Sequence, residues 1–364
     1  MSETTPFDEM HNADGTIREP YLVLDQWLKE QPAQALSLMS SDAEGIFRRL
    51  GITFAVYGSE EGVEKLIPFD VIPRIIAARE WRKLSRAIEQ RVRALNAFLY
   101  DIYHRQEILK AGRIPESLIL QNSAFCPEMM GLDPPRGVYS HIIGVDIVRV
   151  GADDWYVLED NLRTPSGVSY MLEDREAMLQ LAPELFQRLK VASVETYPEN
   201  LRRTMESVAP PNAGTSPNLV VLTPGIYNSA YFEHSFLADQ MGAELCEGQD
   251  LYVEGGKVFM RTTTGPERVD VIYRRIDDDF LDPLTFRPDS MLGVPGLFDA
   301  YRSGNVTLVN APGTGIADDK AVYTYVPEII DFYLGEKPLL KNVPTYNCTN
   351  EDERAYVLEH LNEL

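Results

Sequence analysis

The sequence predicts a mixed α/β protein with an N-terminal helical region. Three observations support this fold class: helical hydrophobic spacing before residue 112, an acidic β-hairpin at residues 141–163, and a β-α-β pattern at residues 219–247. The length of 364 residues suits two or three domains with a substantial core.

Helical spacing dominates the N-terminal third. Apolar residues recur at helical intervals from Tyr21 to Leu50, and Gly51 predicts the end of that pattern. The longest helix signal runs from Arg79 to Ala111. Its opposite face is basic, and we interpret it as a solvated face paired with acidic residues, with contact to an anionic substrate as the alternative. This basic stripe consists of Arg82, Lys83, Arg86, Arg91 and Arg93.

The segment 141–163 predicts two strands joined by a tight Gly-Ala-Asp-Asp turn. In the register that this four-residue loop sets, Val150 faces Trp155. The same register places Asp146 directly opposite Glu159. Two carboxylates that face each other across a ladder repel unless a cation lies between them.

Asn161 follows Glu159 by two residues and Arg163 by two more, so the three share one face of the strand. Mg²⁺ prefers carboxylate and amide oxygens, which makes Asp146, Glu159 and Asn161 candidate metal ligands. Arg163 is a candidate to bind a phosphate oxygen. The alternative is a solvated hairpin with chance acids, since 56 of the residues are Asp or Glu. A two-carboxylate hydrolase is weaker because Asn161 and Arg163 then have no role.

Beyond the hairpin, the spacing predicts a helix from Glu173 to Lys190 that Pro183 interrupts, and a linker at residues 210–218. One β-α-β unit follows. Its elements are a strand at Leu219–Leu222, a helix at Tyr231–Met241 and a strand at Glu244–Glu247.

The loop TPGIYNSAYFEH joins the first strand of this unit to its helix, where open α/β sheets place ligands. We assign Asn228 and Ser229 of this loop to substrate binding. A later strand delivers Arg274 and Arg275 to its end, where adjacent arginines suit phosphate or carboxylate. The alternative is that Arg–Asp pairs tie down a loop.

A strand, a Gly-rich turn and a helix are predicted in NVTLVNAPGTGIADDKAVYTYVPEII. Gly313 and Gly315 permit close backbone approach, and Lys320 follows Asp318 and Asp319. The spacing is not that of a P-loop. The alternative role of Asp318 is to cap the helix.

Composition narrows the function classes. The net charge of −22 argues against unaided binding to nucleic acid or an anionic membrane. This charge is compatible with ATP binding, because Mg²⁺ and local cations offset the negative electrostatic field of the protein. The three cysteines are widely spaced and lack metal-site spacing. The sequence also shows no secretory signal and no apolar run of membrane-spanning length, so we expect a cytoplasmic protein.

With these segments described, the chain resembles the bacterial circularly permuted ATP-grasp ligases, which are related to glutathionylspermidine synthetase. The matching stretches are GVDIVRVGADDWYVLEDNLRTPSGVSYML, LTPGIYNSAYFEHSFLADQMG, VIYRRIDDDFLDPLTFRPDSMLGVPGL and NAPGTGIADDKAVY. Members of this family activate a carboxylate as an acyl phosphate, which an amine attacks to give an amide. In permuted members the metal-binding half precedes the nucleotide-clamping half, as it does here.

The resemblance implies an ATP-dependent carboxylate–amine ligase with ATP and Mg²⁺ as cofactors. Its partners would be a small-molecule or peptide carboxylate and an amine. It assigns the metal to Asp146, Glu159 and Asn161, and it assigns phosphate contacts and catalysis to Arg163 and Lys320. Gly313 and Gly315 belong to the implied nucleotide site. On electrostatic grounds we place Arg274 and Arg275 near the acceptor carboxylate. Glu233 and His234 are candidate bases, with a packed histidine as the favoured alternative.

We expect four segments: a helical region (1–125), a metal-binding half with the hairpin (126–209), a β-α-β pre-ATP-grasp-like domain (218–305) and the start of a nucleotide-binding subdomain (306–364). In the family, a strand with a second nucleotide lysine and a Gly-rich loop come next. The resemblance therefore predicts that part of the ATP clamp lies outside these residues. The alternative function is a non-catalytic binding or scaffold protein that keeps the fold without ATP turnover.

Overall fold

The computed structural model describes residues 6–55 and 64–364, and it divides into two compact units. The first comprises Met1–Glu9, Ile76–Pro165 and Asn310–Leu364, and the second comprises Met10–Ile75 and Ser166–Val309. Each unit combines separated stretches of the chain, whereas the four segments expected from the sequence are continuous. The architecture is mixed α/β, as predicted.

The helices of the described part are numbered in chain order. They are α1 (Leu22–Glu30), α2 (Ala35–Leu50), α3 (Ala78–Ile102), α4 (Glu107–Lys110), α5 (Glu116–Leu120), α6 (Val168–Leu181), α7 (Pro183–Arg188), α8 (Tyr197–Glu206), α9 (Tyr231–Met241), α10 (Asp278–Leu281), α11 (Leu297–Arg302), α12 (Lys320–Tyr323), α13 (Val326–Leu334) and α14 (Glu351–Glu359). Short 3₁₀ turns occupy Glu19–Tyr21, Pro127–Met129, Pro135–Gly137, Gly248–Asp250 and Thr314–Asp318.

Within residues 6–55 and 64–364, the strands form four small sheets. They are β1 (Thr53–Ala55), β2 (Glu64–Leu66), β3 (Gly144–Arg149), β4 (Trp155–Asn161), β5 (Leu219–Leu222), β6 (Glu244–Cys246), β7 (Leu251–Glu254), β8 (Lys257–Thr262), β9 (Gly265–Val269), β10 (Val271–Arg274), β11 (Thr307–Val309) and β12 (Lys341–Asn342). The sheet orders are β1-β2, β11-β10-β5-β6, β12-β4-β3 and β7-β8-β9.

The first unit places the β3–β4 hairpin against helix α3. Leu84 and Ala87 of α3 form a buried cluster with Val157 of β4, Tyr323 of α12 and Leu340. The Tyr323 hydroxyl also donates a hydrogen bond to the Val157 carbonyl. These contacts bury one face of β4 and leave its other face to polar side chains.

Helix α3 ends earlier than the sequence pattern predicted. The helix stops at Ile102, and the separate helix α4 precedes Gly112. The Asp101 carboxylate accepts hydrogen bonds from the backbone N–H groups of Glu107 and Ile108 at 2.9 and 3.0 Å. Gln106 adopts a left-handed conformation with φ of 56°. A carboxylate that caps a new helix therefore competes with continuation of the old one.

The second unit contains a parallel four-stranded sheet with the order β11-β10-β5-β6. All residues of β5, β10 and β11 are buried, which suits a sheet covered on both faces. The predicted β-α-β unit is confirmed, since β5 and α9 have the predicted bounds and β5 pairs in parallel with β6. Helix α9 ends at Gly242 with φ of +62°.

Prolines divide the helices of the second unit. Pro183 separates α6 from α7, as predicted, whereas the stretch from Tyr21 to Leu50, predicted as one helical pattern, divides into α1 and α2 around Pro32. Leu24 and Trp27 of α1 pack with Met178 and Leu185 in one buried cluster. Among the described residues, no helix combines the length and apolar character that crossing a membrane requires.

Candidate functional site

The hairpin of the first unit places two carboxylates face to face. Asp146 of β3 pairs directly with Glu159 of β4, so this predicted opposition is confirmed. The predicted pairing of Val150 with Trp155 is wrong, because Arg149 pairs with Trp155 instead. A β-bulge corrects the offset, since the register shifts between Asp146 and Ile147. One extra residue in β4 therefore restores the register at the acidic pair.

The two faces of β4 have different surroundings. Asp160 is buried, and its two carboxylate oxygens accept hydrogen bonds from Nε and Nη2 of Arg91 at 2.7 and 2.6 Å. Glu159 and Asn161, on either side of Asp160, are partly exposed. Glu159 and Asn161 therefore share the face away from the core, as predicted. The expectation that Arg91 lies on a solvated basic face is wrong, because its side chain is only 1% exposed.

The acidic pair is electrostatically uneven. Partial burial and the negative charge of Glu159 raise the pKa of the Asp146 carboxyl. The pKa of the Glu159 carboxyl is lowered, above all by its hydrogen bond with Lys320, and hydrogen bonds with Asn161 and Asp146 act in the same direction. Lys320, the first residue of α12, forms an ion pair with Glu159. The structure therefore brings Lys320 to the predicted metal site through its contact with Glu159.

Arg163 lies beside Asp318, which fixes the end of the hairpin. Asp318 accepts a hydrogen bond from the Leu162 backbone N–H at 2.5 Å, and its other oxygen is 3.9 Å from Nε of Arg163. The alternative role of Asp318 as a helix cap is wrong. Asp319 is the cap of α12, and it accepts hydrogen bonds from the backbone N–H groups of the next turn.

The Gly-rich turn needs its glycines for close approach. Gly313 has φ of +83°, and a Cβ atom there would lie 2.4 Å from the Tyr103 hydroxyl oxygen. That hydroxyl donates a hydrogen bond to the Gly313 carbonyl at 2.8 Å. A Cβ atom on Gly315 would lie 3.2 Å from Cδ of Arg163. The close backbone approach expected at these glycines is therefore present, and at Gly315 it is an approach to Arg163.

Asn310 is a site residue that the sequence analysis missed. Its side chain is buried, and Oδ1 accepts hydrogen bonds from the backbone N–H groups of His141 and Ile142 at 2.8 and 3.1 Å. Its Nδ2 donates to the carbonyls of Ile142 and Leu162, each at 2.7 Å. One amide therefore ties together the start of β3 and the end of β4. The available signal was an asparagine directly after a buried strand.

The second unit has its own candidate site at a topological switch point. The chain leaves β5 toward β6 on one side and later returns through β10 and β11 on the other. The TPGIYNS loop follows β5, Arg275 follows β10, and the Arg275 N–H donates to the Leu222 carbonyl at 2.7 Å. The carboxyl ends of adjacent strands at such a point commonly bind ligands.

The two arginines at this point are buried in different networks. Arg274 forms an ion pair with Asp278 at 2.8 Å and donates to the Ile276 carbonyl, which matches the alternative that it ties down a loop. Arg275 donates to the Tyr273 hydroxyl at 2.9 Å and to the Ser166 hydroxyl at 2.5 Å. The substrate role expected for these arginines stays a prediction.

The candidate bases are packed side chains. The buried Glu233 carboxylate accepts hydrogen bonds from the N–H groups of Gly167 and Ser169, at the start of α6, and lies 3.5 Å from Arg275. His234 lies 2.8 Å from the Thr223 hydroxyl, and burial lowers its pKa to about 3. These contacts favour the packed alternative over a base.

The loop after β5 exposes an apolar tip. Ile226 and Tyr227 are 64% and 87% exposed. Asn228 accepts a hydrogen bond from the Ala230 N–H at 2.9 Å, and Ser229 is half-buried. The loop is therefore braced by its own polar side chains and presents its apolar ones outward.

The donor set of the hairpin fits Mg²⁺. Nowhere in residues 6–55 and 64–364 do three or more His, Cys, Asp or Glu side chains cluster as a complete metal site. The hairpin instead offers two opposed carboxylates, Asp146 and Glu159, with the Asn161 amide hydrogen-bonded to the second. Mg²⁺ normally takes one or two carboxylates and fills its remaining positions with water and phosphate.

A family model described as a circularly permuted ATP-grasp matches residues 73–364. The chain belongs to the circularly permuted ATP-grasp family. The resemblance drawn from the hairpin and the Gly-rich segment is thereby confirmed. This structure is similar to that of a glutathione synthetase-like effector from Globodera pallida, solved in its apo form, with a TM-score of 0.55. The match covers 92% of this chain and 79% of the effector chain. At 13% identity this likeness shows the fold alone.

Several bacterial proteins are similar over nearly the whole chain. A Synechocystis protein named as uncharacterized is 53% identical, with 98% of this chain and 74% of the relative covered. A Mycobacterium tuberculosis protein, also named as uncharacterized, is 50% identical, with 98% and 64% covered. A Frankia alni protein named "Putative glutamate–cysteine ligase 2-3" is 38% identical, with 98% and 41% covered. The chain thus spans only part of each relative.

Proposed function

We propose that this protein takes part in the ATP-dependent joining of a carboxylate to an amine, with Mg²⁺ and ATP bound at the β3–β4 hairpin. The proposal rests on the direct pairing of Asp146 with Glu159 and on the contact of Lys320 with the Glu159 carboxylate. Membership of the circularly permuted ATP-grasp family supports the reaction class.

In this proposal, Asp146, Glu159 and Asn161 hold the metal. Bound Mg²⁺ would neutralise charge on the nucleotide phosphates. The buried Arg91–Asp160 pair and the Asn310 amide keep these side chains in position before nucleotide arrives. Preorganised donors of this kind lower the reorganisation needed during the reaction.

Arg163 and Lys320 provide positive charge from the protein itself. A substrate carboxylate oxygen would attack the γ-phosphorus of ATP and release ADP, which gives an acyl phosphate. An amine nitrogen would then attack the acyl carbon, release phosphate and lose its proton to solvent. Both cations are partly exposed at the hairpin, so they are accessible to phosphate oxygens.

The switch point of the second unit is the proposed location of substrate recognition. Asn228 and Ser229 belong to a loop whose apolar tip, Ile226 and Tyr227, is exposed. Arg275 supplies positive charge at the adjacent strand end, within a network that includes Ser166. Glutamate is the first carboxylate to test, since the Frankia relative is named as a glutamate–cysteine ligase.

The metal assignment is tested by the melting temperature of the protein with and without Mg·ATP. We expect wild type to be stabilised, by about 2.7 kcal/mol when ligand is at 100 times its dissociation constant. Glu159→Gln should lose most of this stabilisation. Asp153→Asn is the matched control, because Asp153 is an exposed acid at the turn of the same hairpin. A clear stabilisation of wild type by Mg·ATP that is equally large in Glu159→Gln would refute the assignment.

The ligase chemistry has a separate test. With glutamate and hydroxylamine present, an acyl phosphate would be trapped as a hydroxamate, and ADP release would depend on the carboxylate. Mg·ATP stabilisation without carboxylate-dependent ADP release, across a panel of carboxylates, would instead favour the non-catalytic binding protein. The two tests therefore separate nucleotide binding from turnover.

A further inference from the structure

Lys320 is the cationic partner of a predicted metal ligand. Its ammonium group contacts the Glu159 carboxylate, which directly faces Asp146 across the ladder. The side chain of Glu159 is 31% exposed and that of Lys320 is 66% exposed. A protein cation from α12 therefore contacts one of two opposed carboxylates that would otherwise repel each other.

An ammonium group and a metal ion compete for the same oxygens. Mg²⁺ binds carboxylate oxygens at about 2.0–2.1 Å, whereas a lysine ammonium lies about 2.7–2.9 Å from its acceptor. A metal ion bound to Glu159 would also repel the Lys320 charge at that distance. Occupation of Glu159 by Lys320 and by a divalent cation are therefore alternatives.

The contact is built so that the side chain can leave while the backbone stays. Asp319 caps α12 by accepting hydrogen bonds from the backbone N–H groups of Ala321 and Val322 at 2.7 and 3.2 Å. This cap fixes the position from which Lys320 extends. The largely exposed lysine stem can reorient without disturbing packed residues.

We propose that Lys320 is a resident counter-ion of the acidic pair, which a divalent cation displaces and which thereby becomes available to a phosphate group. The inference rests on the proposed metal site and adds its regulation. Lys320 weakens the binding of metal alone, and phosphate that captures the displaced ammonium favours metal binding. By linkage, metal then favours phosphate binding by the same factor.

The test measures Mn²⁺ binding to the full chain without nucleotide, by electron paramagnetic resonance of the unbound ion. We expect Lys320→Gln to bind Mn²⁺ about two- to fivefold more tightly than wild type, which is the range that an exposed ion pair contributes. Lys320→Arg keeps the competing charge, so its affinity should stay at or below that of wild type.

Lys83→Gln is the matched control. Lys83 pairs with Asp153 at 2.9 Å, at the turn of the same hairpin, and both side chains are largely exposed. This variant removes one positive charge of α3 that pairs with the hairpin turn, without touching the acidic pair. Its Mn²⁺ affinity should match that of wild type.

The outcomes separate this inference from the proposed function. Weaker Mn²⁺ binding in Glu159→Gln together with tighter binding in Lys320→Gln supports both. Weaker binding in Glu159→Gln with unchanged binding in Lys320→Gln overturns the counter-ion role and leaves the metal site intact. Equal tightening in Lys320→Gln and Lys83→Gln also overturns it, because general charge then explains the effect. Mn²⁺ binding that does not change in Glu159→Gln overturns the metal site and this inference together.

Discussion

The buried ion pair beneath the hairpin provides the sharpest stability prediction. Arg91 and Asp160 are 1% and 0% exposed at their side chains, and they are joined by two hydrogen bonds of 2.7 and 2.6 Å. Asp160→Asn keeps the size of the side chain but leaves the arginine charge buried without its counter-charge. Removing one partner of a buried pair costs about 3–5 kcal/mol of unfolding free energy.

The remaining contacts of Arg91 do not replace that charge. Nη1 of Arg91 donates to the Asn342 side chain at 2.9 Å, and its guanidinium lies 5.5 Å from the centre of the Tyr323 ring. Both contacts are to neutral groups. We therefore expect Asp160→Asn to lose about 3–5 kcal/mol of unfolding free energy. The double variant Arg91→Met with Asp160→Leu should recover at least half of this loss, because no buried charge then remains.

The assay is urea unfolding together with hydrogen exchange of the amides in β4, which reports on the hairpin locally. Asp153→Asn is the comparison variant, because it breaks the exposed Lys83–Asp153 pair of the same hairpin and should cost less than about 1 kcal/mol. A loss below about 1 kcal/mol in Asp160→Asn, or no recovery in the double variant, would refute the reasoning.

Three further predictions follow from single contacts. Glu159→Gln should change unfolding free energy by less than about 1 kcal/mol, because lost attraction to Lys320 offsets lost repulsion from Asp146; a larger urea shift contradicts this balance. Burial lowers the pKa of His234 from 6.5 to about 3, so the unfolded state binds more protons than the folded state between these values, and the free energy of unfolding decreases as the pH is lowered. The loss from pH 6.5 to 5 should be about 1.5–2 kcal/mol, because the unfolded histidine is already half protonated at pH 6.5. His234→Gln should flatten that slope, and an unchanged slope would exclude His234 as its source. Gly313→Ala should lower the melting temperature markedly, because φ is +83° there and the new Cβ would lie 2.4 Å from the Tyr103 hydroxyl oxygen. Gly304→Ala is the control, since φ is +70° there and no atom lies within 4 Å of the new Cβ, so that only the backbone conformation is unfavourable. Equal losses of melting temperature in the two variants would contradict the clash.

Local patterns in the sequence were sufficient for most elements. The bounds of β5 and α9 follow from a buried run and a Gly stop, and the break at Pro183 follows from backbone chemistry. The break around Pro32 was not predicted, although the same chemistry accounts for it. The opposition of Asp146 and Glu159 was predicted although the turn register was wrong by one residue. The β-bulge that restores it has no sequence signal of its own, since any residue of a strand can be the extra one.

The amino-acid sequence by itself determined the family, because the matching stretches are read directly from the residues. It also determined the helical and strand periods and the candidate ligands Asp146, Glu159 and Asn161, because these depend on residues close together in the chain. Tertiary structure alone decided which opposite charges pair across distant parts of the chain. Arg91 lies 69 residues from Asp160, and Lys320 lies 161 residues from Glu159. Periodicity tells which face a side chain occupies, but the partner on that face depends on packing between distant segments.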